Sequence, residues 1–176
     1  MTIEDSAELQ IQGVANLVKL EARNANVEGI GEISIRSLLK TSLRMRPDRI
    51  IVGEVRGGES IDMLQSLNTV HCGASTGHAN SPEDMLSRLE MMVLMGMEIP
   101  LEAVRRQIAS AIDVIVHLGR MQDGSRKVLK VVEILGVKNG EILTQVLYEY
   151  EEGSEEGWVK KNELQNRDKL LAAGYQ

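Results

Sequence analysis

The chain has 176 residues, of which 43% are hydrophobic and 26% charged, and its formal net charge is −6. An acidic balance disfavours a nucleic-acid-binding surface, which usually needs a basic patch, and this length suits one domain with a sizeable core. The single cysteine, Cys72, excludes an internal disulfide and is typical of a reducing compartment. No apolar run approaches the ~18 residues of a membrane span, so we expect a cytoplasmic protein or a cytoplasmic piece of a larger one.

Carboxylates stand at the start of the chain. Residues 1–3 predict the stub of a strand that leaves Glu4 and Asp5 at its carboxyl end. Adjacent carboxylates in that position can hold a divalent cation or act as a general base. The alternative, that Asp5 or Ser6 caps a following turn, is the commoner use of such residues.

A second strand and a helix are predicted next. Residues 14–20 alternate loosely as in a strand, and the Gly- and Asn-rich stretch 24–31 predicts a loop. Ser34 then offers a helix cap, and Pro47 ends the helix. The apolar residues of this helix follow the spacing of one buried stripe: Ile35, Leu38, Leu39 and Leu43.

Arginines crowd the first third of the chain. Guanidinium is the preferred group for bidentate contact with phosphate. The alternative for any single one of them is a solvated position with a carboxylate neighbour. They are Arg23, Arg36, Arg44, Arg46, Arg49 and Arg56.

The central strand is predicted at Ile50, Ile51 and Val52, where three β-branched residues without polar alternation indicate burial on both faces. The run ends at Gly53 and Glu54. Because ligands of open α/β sheets bind outside the carboxyl ends of the strands, Glu54 is a candidate for water activation or for contact with Mg²⁺. An ordinary core strand that ends in a solvated glutamate remains the alternative.

Residues 59–67 predict a helix, and the stretch 69–82 after it is too small and polar for the core. It carries His71 and His78, and a histidine beside Ser, Thr and Gly could donate to a phosphate oxygen, although either one alone is more often structural. Together with Cys72, the two histidines are also candidate ligands of a metal site. Their spacing matches neither the usual zinc pattern nor a helical pair, so we do not expect one.

Two further helices follow. Ser81 as cap and Pro82 at the first position begin one, and Pro100 begins the next, with Arg105 and Arg106 expected to point outward. The inward residues are predicted to be Met85, Leu86, Leu89, Met92, Val93 and Met97 in the first helix, and Leu101, Val104, Ile108 and Ile112 in the second.

The last part of the chain predicts an antiparallel arrangement. Residues 113–118 predict a strand that contains His117, which we interpret as a structural histidine with satisfied hydrogen bonds. Two hairpin signals, Asp123-Gly124 and Asn139-Gly140, indicate that strands at 128–137 and 141–150 extend the sheet. Residues 151–176 are acidic and Gly-rich, and we interpret them as a partly ordered tail with a short helix near 164–173.

In this order, the features resemble the type II/type IV secretion ATPase superfamily, the ring-shaped motors of pilus assembly and of DNA or protein export. Within it, the chain is most similar to the branch that serves Flp/Tad-type pili. Four stretches carry the resemblance: 3–9 to the acidic box, 43–57 to the Walker B region, 76–82 to the histidine box, and 105–117 to the helix-to-strand connection.

The resemblance implies a RecA-like P-loop NTPase core over residues 1–150, mostly parallel sheet flanked by helices, with C-terminal antiparallel hairpin strands. It implies ATP and Mg²⁺ as cofactors and catalytic roles for three residues. Glu4 would orient the attacking water, Glu54 would be the Walker B carboxylate that reaches Mg²⁺ through water, and His78 would sense the γ-phosphate.

The resemblance also implies the residues around the phosphates. Asp5 would be a second carboxylate on the metal side. Arg23, Arg36 and Arg56 would approach phosphate and neutralise charge that develops on the transferred group.

One motif of the family does not occur in the chain, namely Gly-x-x-x-x-Gly-Lys-Ser/Thr. In the family that phosphate loop directly precedes the acidic box, so we expect the C-terminal part of a motor domain, with the first strand and the phosphate loop missing and inactive on its own. The alternative is a non-catalytic assembly or regulatory module that keeps motor-like oligomerisation surfaces.

The resemblance implies partners as well. They are other copies of the chain in a hexameric ring and an inner-membrane secretion or pilus platform protein. The expected location is the cytoplasmic side of the inner membrane, and no direct nucleic-acid binding is expected.

Overall fold

The computed structural model describes residues 1–68, 72–154, 157–172 and 174–175. His71, one of the three residues considered for a metal site, lies outside this range. The strands are β1 (Thr2–Glu4), β2 (Lys19–Glu21), β3 (Arg49–Glu54), β4 (Cys72–Thr76), β5 (Val114–Arg120), β6 (Arg126–Lys138), β7 (Glu141–Tyr150) and β8 (Trp158–Lys160). The α-helices are α1 (Ile35–Ser42), α2 (Ser60–Leu67), α3 (Pro82–Gly96), α4 (Leu101–Ala111) and α5 (Asp168–Ala172), and a short 3₁₀ helix, Leu43–Met45, follows α1.

The first sheet is parallel, in the order β2-β1-β3-β4. Ile50 and Val52 have no exposed surface and Ile51 between them is partly buried, which confirms the predicted strand after Arg49 but shows full burial on one face only. The prediction of a strand over 14–20 was wrong in extent, because β2 is confined to Lys19–Glu21. Residues 72–76 lie outside the core, as expected, yet they form the edge strand β4.

The second sheet is antiparallel, in the order β5-β6-β7-β8. Both predicted hairpins are confirmed, and Gly124, Asn139 and Gly140 have the positive φ that such tight turns favour. The prediction that these strands extend the parallel sheet was wrong. Helices α3 and α4 separate β4 from β5 in the chain, and α4 packs against β6 and β7, so the antiparallel strands form a layer of their own.

Helices α1 to α4 enclose one apolar core between the sheets, to which Val93, Val104 and Ile108 contribute fully buried side chains. The predicted caps are confirmed, since the Ser34 hydroxyl accepts the Ser37 N–H and the Ser81 hydroxyl accepts the Asp84 N–H. None of the helices among the described residues combines the length and the hydropathy that a membrane span requires.

Two predicted inward residues are exposed instead. Met97 and Leu101 are each 42% exposed, because Met97 already lies beyond the last turn of α3 and Leu101 is the first residue of α4.

Arg105 does not point outward as predicted. Its side chain is only 19% exposed, and its guanidinium donates to Glu90 at 2.8 Å, to the Gly140 carbonyl at 2.6 Å and to Glu141 at 2.8 Å. The hydrogen bond and the charge of Glu90, with a smaller effect of Glu141, raise the pKa of Arg105 further. This arginine therefore joins α4 to α3 and to the β6–β7 hairpin.

His117 also departs from expectation. Its Nδ1 is buried and makes no hydrogen bond among the described residues, so it is not the satisfied structural histidine that the sequence suggested.

Candidate active site

The carboxyl ends of three parallel strands meet at one edge of the first sheet. The register pairs Ile3 with Val52 and Glu54 with Thr76, so Glu4 lies beside Gly53, one residue before Glu54, where the two neighbouring strands end. These residues line a cleft of about 460 Å³. The lining includes Glu4, Asp5, Glu8, Glu54, Arg56, Thr76 and His78. The sheet therefore brings together the predicted catalytic residues.

Glu4 is fixed deep in this cleft, with only 3% of its surface exposed. Its Oε1 accepts the backbone N–H groups of Glu8 and Leu9, both at 2.9 Å. In this turn it is thus Glu4, rather than Asp5 or Ser6, that caps the backbone. Gly53 is required beside it, because a Cβ there would lie 2.9 Å from the Cγ of Glu4.

Glu54 is paired with Arg56 at the end of β3. The Nε and Nη2 of Arg56 lie 2.8 and 2.7 Å from Glu54 Oε2, and the Glu54 side chain is 18% exposed. The hydrogen bond and the charge of Glu54 raise the pKa of Arg56, with smaller contributions from Asp5 and Glu8. Arg56 therefore stays charged and holds one carboxylate oxygen of Glu54.

A third glutamate shapes the turn between β3 and α2. Glu59 Oε1 accepts the N–H groups of Arg56 at 2.8 Å and Gly57 at 3.0 Å. This closes the turn that directs Arg56 back onto Glu54. From the sequence, Glu59 was predicted only to begin a helix. The signal for its second role is its position three residues after Arg56, from which a carboxylate can accept the N–H groups of a turn.

His78 lies at the mouth of the cleft. Its Nε2 is 3.6 Å from Glu54 Oε1, beyond hydrogen-bond distance, and its side chain is 83% exposed. Two contacts position this segment: the Thr76 hydroxyl donates to the Gly53 carbonyl, and Arg88 Nη1 donates to the His78 carbonyl at 2.9 Å. These two hydrogen bonds hold the backbone near His78 in place, while its exposed imidazole is accessible to a ligand.

Arg23 and Arg36 lie in a neighbouring cleft, also of about 460 Å³, which shares Asp5 with the first. Arg36 donates through Nε to Asp62 at 2.6 Å and through Nη2 to the Gly58 carbonyl at 2.8 Å. Arg23 donates through Nε to the Gly31 carbonyl at 2.8 Å. The structure thus separates these two arginines from Arg56, which lines the cleft with Glu4 and Glu54.

The charges of the first cleft favour a cation. Four carboxylates (Glu4, Asp5, Glu8 and Glu54) line it together with one arginine and one histidine. The described residues contain no group of three or more His, Cys, Asp or Glu arranged to hold a metal ion by themselves. One or two carboxylates are, however, what Mg²⁺ ordinarily takes from a protein when phosphate and water supply its other ligands. The donor set is compatible with that ion.

Residues 1–157 match the family described as type II/IV secretion system protein. The chain belongs to this family. A Mycobacterium tuberculosis H37Rv protein, provisionally named for conjugal transfer, is 47% identical over 130 residues, which are 73% of this chain and 36% of that protein. The chain therefore spans about a third of the length of this relative.

Two solved structures share the fold. The VirB11 ATPase of the Brucella suis type IV secretion system, in complex with sulphate, superposes with a TM-score of 0.64 at 33% identity, covering 74% of this chain and 38% of that one. The pilus retraction motor PilT with bound ADP superposes with a TM-score of 0.54 at 26% identity, covering 73% of this chain and 36% of PilT. The predicted fold class, a parallel sheet flanked by helices with antiparallel strands after it, is thereby confirmed as that of the RecA-like secretion ATPases.

Proposed function

We propose that this chain forms the water-activating and metal-facing half of the ATP site of a secretion or pilus-assembly motor. The observation that carries the proposal is the meeting of Glu4 and Glu54 in one cleft at the carboxyl edge of the parallel sheet. This is where ligands of open α/β sheets bind. Relatives crystallised with sulphate and with ADP support a phosphate-bearing ligand.

Each residue has a role that its contacts suit. Glu4, held by two backbone N–H groups, would accept a hydrogen bond from the attacking water in a fixed direction. Glu54 would hold a water of the metal shell, and Arg56 would keep its carboxylate oriented. When bound, Mg²⁺ would neutralise phosphate charge.

His78 and the remaining residues would face the phosphates. The exposed ring of His78 beside Glu54 is free to contact the γ-phosphate. Asp5 would add a second carboxylate on the metal side, and Arg23 and Arg36, in the adjacent cleft, would approach phosphate from there, across a subunit boundary in a ring. These assignments rest on the family's motifs together with the positions of the side chains.

We expect the chain alone to bind ATP in the millimolar range or more weakly. Without Gly-x-x-x-x-Gly-Lys-Ser/Thr, the amides and the lysine that cradle phosphates are not supplied by this sequence. Calorimetric titration with Mg-ATP checks this expectation. Micromolar binding would overturn it, because the phosphates would then be held by other groups.

The wider setting is inferred from the family. The motor would work as a hexameric ring at the cytoplasmic face of the inner membrane, against a secretion or pilus platform protein, with Flp/Tad-type pilus assembly as its system. A non-catalytic assembly module is the second candidate, favoured by the lack of a phosphate-loop motif in the sequence.

Turnover of Mg-ATP distinguishes the two candidates. It is measured for this chain and for the protein translated from the longest reading frame of the gene that contains it. We expect turnover in a protein that carries the phosphate loop, and a loss of about 10²-fold or more in Glu54→Gln. Glu102→Gln, at an exposed ion pair on α4 outside the cleft, is the matched control and should retain activity. No turnover in either protein would favour the non-catalytic module.

A further inference from the structure

The second sheet contains a buried carboxylate that the proposed site does not use. Glu133 lies in the middle of β6 and is only 1% exposed. A carboxylate removed from water is costly unless hydrogen bonds replace its solvation. The hydrogen-bond partners of Glu133 therefore indicate its role in the fold.

The partners of Glu133 come mostly from one short segment near the end of the chain. Oε1 accepts the Asn166 N–H at 2.7 Å, and Oε2 accepts the Gln165 N–H at 3.0 Å and the Gln145 side-chain amide at 2.6 Å. Two consecutive backbone N–H groups thus converge on one carboxylate. This geometry binds a peptide segment rather than an isolated side chain.

Other polar contacts hold the same segment, which we call the strap (residues 163–172). The Asn166 side-chain amide donates to the Ile134 carbonyl at 3.0 Å, and Gln145 donates to the Glu163 carbonyl at 2.9 Å. Lys169 reaches both oxygens of Asp113 at 2.7 Å. The strap is attached at separate points to β6, to β7 and to Asp113, the residue before β5.

Apolar burial contributes little to this attachment. None of the five residues of α5, which the structure describes in full, is buried, and Leu170 and Leu171 are 40% and 56% exposed. The family match ends at residue 157, so the strap lies outside it. The apolar core beneath α1 to α4 does not include any strap residue among those described.

We propose that the strap is a separately opening element of this chain, closed onto the second sheet by the ionised carboxylate of Glu133. The rest of the fold stays intact when it opens, because β8 pairs with β7 on its own and the core lies elsewhere. Elements with few buried apolar contacts open with a lower free energy than the core does.

Charge at Glu133 controls the closure. Burial acts to raise the pKa of Glu133, but the N–H groups of Asn166 and Gln165 and the amide of Gln145 outweigh it and hold the pKa below its ordinary value. Among the described residues, no charged side chain makes an ion pair or hydrogen bond with Glu133. The surrounding elements carry other charged groups, on α4 (Glu102, Arg105 and Arg106), on β6 and β7 with the residue before β5 (Asp113, Arg126, Lys127, Lys130, Lys138, Glu141 and Glu149), and on β8, the strap and the residues between them (Lys160, Lys161, Glu163, Arg167, Asp168 and Lys169).

Glu133→Gln is the decisive variant. It keeps the size of the side chain but replaces one acceptor oxygen by an NH₂ group that faces N–H donors. Hydrogen exchange, read by mass spectrometry at neutral pH, should become at least about tenfold faster in peptides from the strap and remain unchanged in peptides from α3 and α4. Trypsin should likewise cleave faster after Arg167 and Lys169.

Two further variants complete the experiment. Glu149→Gln, at a half-exposed ion pair with Lys130, is the matched control and should leave the strap closed. Asn166→Pro leaves the strand sequences unchanged but removes both the backbone N–H that donates to Glu133 and the side-chain amide that donates to the Ile134 carbonyl, and it should open the strap even if Glu133→Gln does not fold. Unchanged exchange of the strap in both Glu133→Gln and Asn166→Pro would overturn the proposal. So would equal acceleration in α3 and α4, because the strap would then not open separately.

Discussion

A backbone contact between the site and helix α3 gives a sharp test of the packing. The β3–α2 turn touches the last residue of α3 through two glycines, Gly58 and Gly96. A Cβ added at Gly96 would lie 2.2 Å from the Gly58 carbonyl oxygen and 2.7 Å from its Cα. The same carbonyl accepts the hydrogen bond of Arg36. Gly96→Ala therefore pushes directly on the turn that carries Arg56.

The magnitude follows from the overlap. Ordinary contacts between heavy atoms are about 3.5 Å or longer, so the new methyl group overlaps backbone by more than about 1 Å. Overpacking of this kind costs about 1–3 kcal/mol, and here the atoms in the way cannot rotate aside. Helix propensity alone would act in the opposite direction, since alanine is favoured over glycine inside a helix by up to about 1 kcal/mol. Because the blocking atoms are backbone, we take the upper end of the overpacking range, about 3 kcal/mol, and after the helix-propensity gain we expect a net destabilisation of about 2 kcal/mol.

Thermal unfolding followed by circular dichroism measures this effect. For a chain of this size, about 2 kcal/mol lowers Tm by roughly 4–8 °C. Gly77→Ala is the matched control, because its methyl group would meet only the flexible end of Met85, and it should change stability by less than about 0.5 kcal/mol. A Gly96→Ala variant as stable as the parent chain, or more stable, would refute the reasoning.

Two other predictions follow from burial and charge. Ile108→Ala should destabilise the fold by about 3–4 kcal/mol because Ile108 has no exposed surface. Leu101→Ala, in the same helix but at a residue that is 42% exposed, should cost less than about 1 kcal/mol. Denaturant titration compares the two variants, and equal losses of stability would contradict the assignment of Ile108 to the core and of Leu101 to the surface. The depressed pKa of Glu133 means that its contribution to strap closure is fully present above the ordinary glutamate value of about 4.3 and is lost as the pH falls through the lower folded-state value. Protection of the Gln165 and Asn166 amides should therefore stay constant from pH 8 to 5 and fall only below about pH 4, and a loss between pH 7 and 5 would contradict the assignment.

Strand ends were the part of the site that the sequence could predict. The apolar residues before Glu54 and before Glu4 predict where each strand ends. Parallel pairing of the two strands then places both carboxylates at one edge of the sheet. The edge strand β4 was harder to foresee. Its residues are small and polar and mostly exposed, so they lack the apolar run that marks the other strands of the core.

The apolar periodicity of a helix or strand could not predict the hydrogen-bond partners of its side chains. Arg105 and Glu133 show why. A helical pattern assigns Arg105 to the outer face, but Glu90 and the Gly140 carbonyl come from other elements and draw its guanidinium inward. Glu133 breaks the apolar pattern of β6, and donors from Gln145, Gln165 and Asn166 compensate for its burial. In both cases, a charge sits where local sequence disfavours it and donors or acceptors from distant residues compensate. A charged residue that interrupts the apolar pattern of its own element is therefore the best sequence signal for such a long-range contact. In this chain the signal is Glu133, and the contact that it indicates is with the proposed separately opening strap.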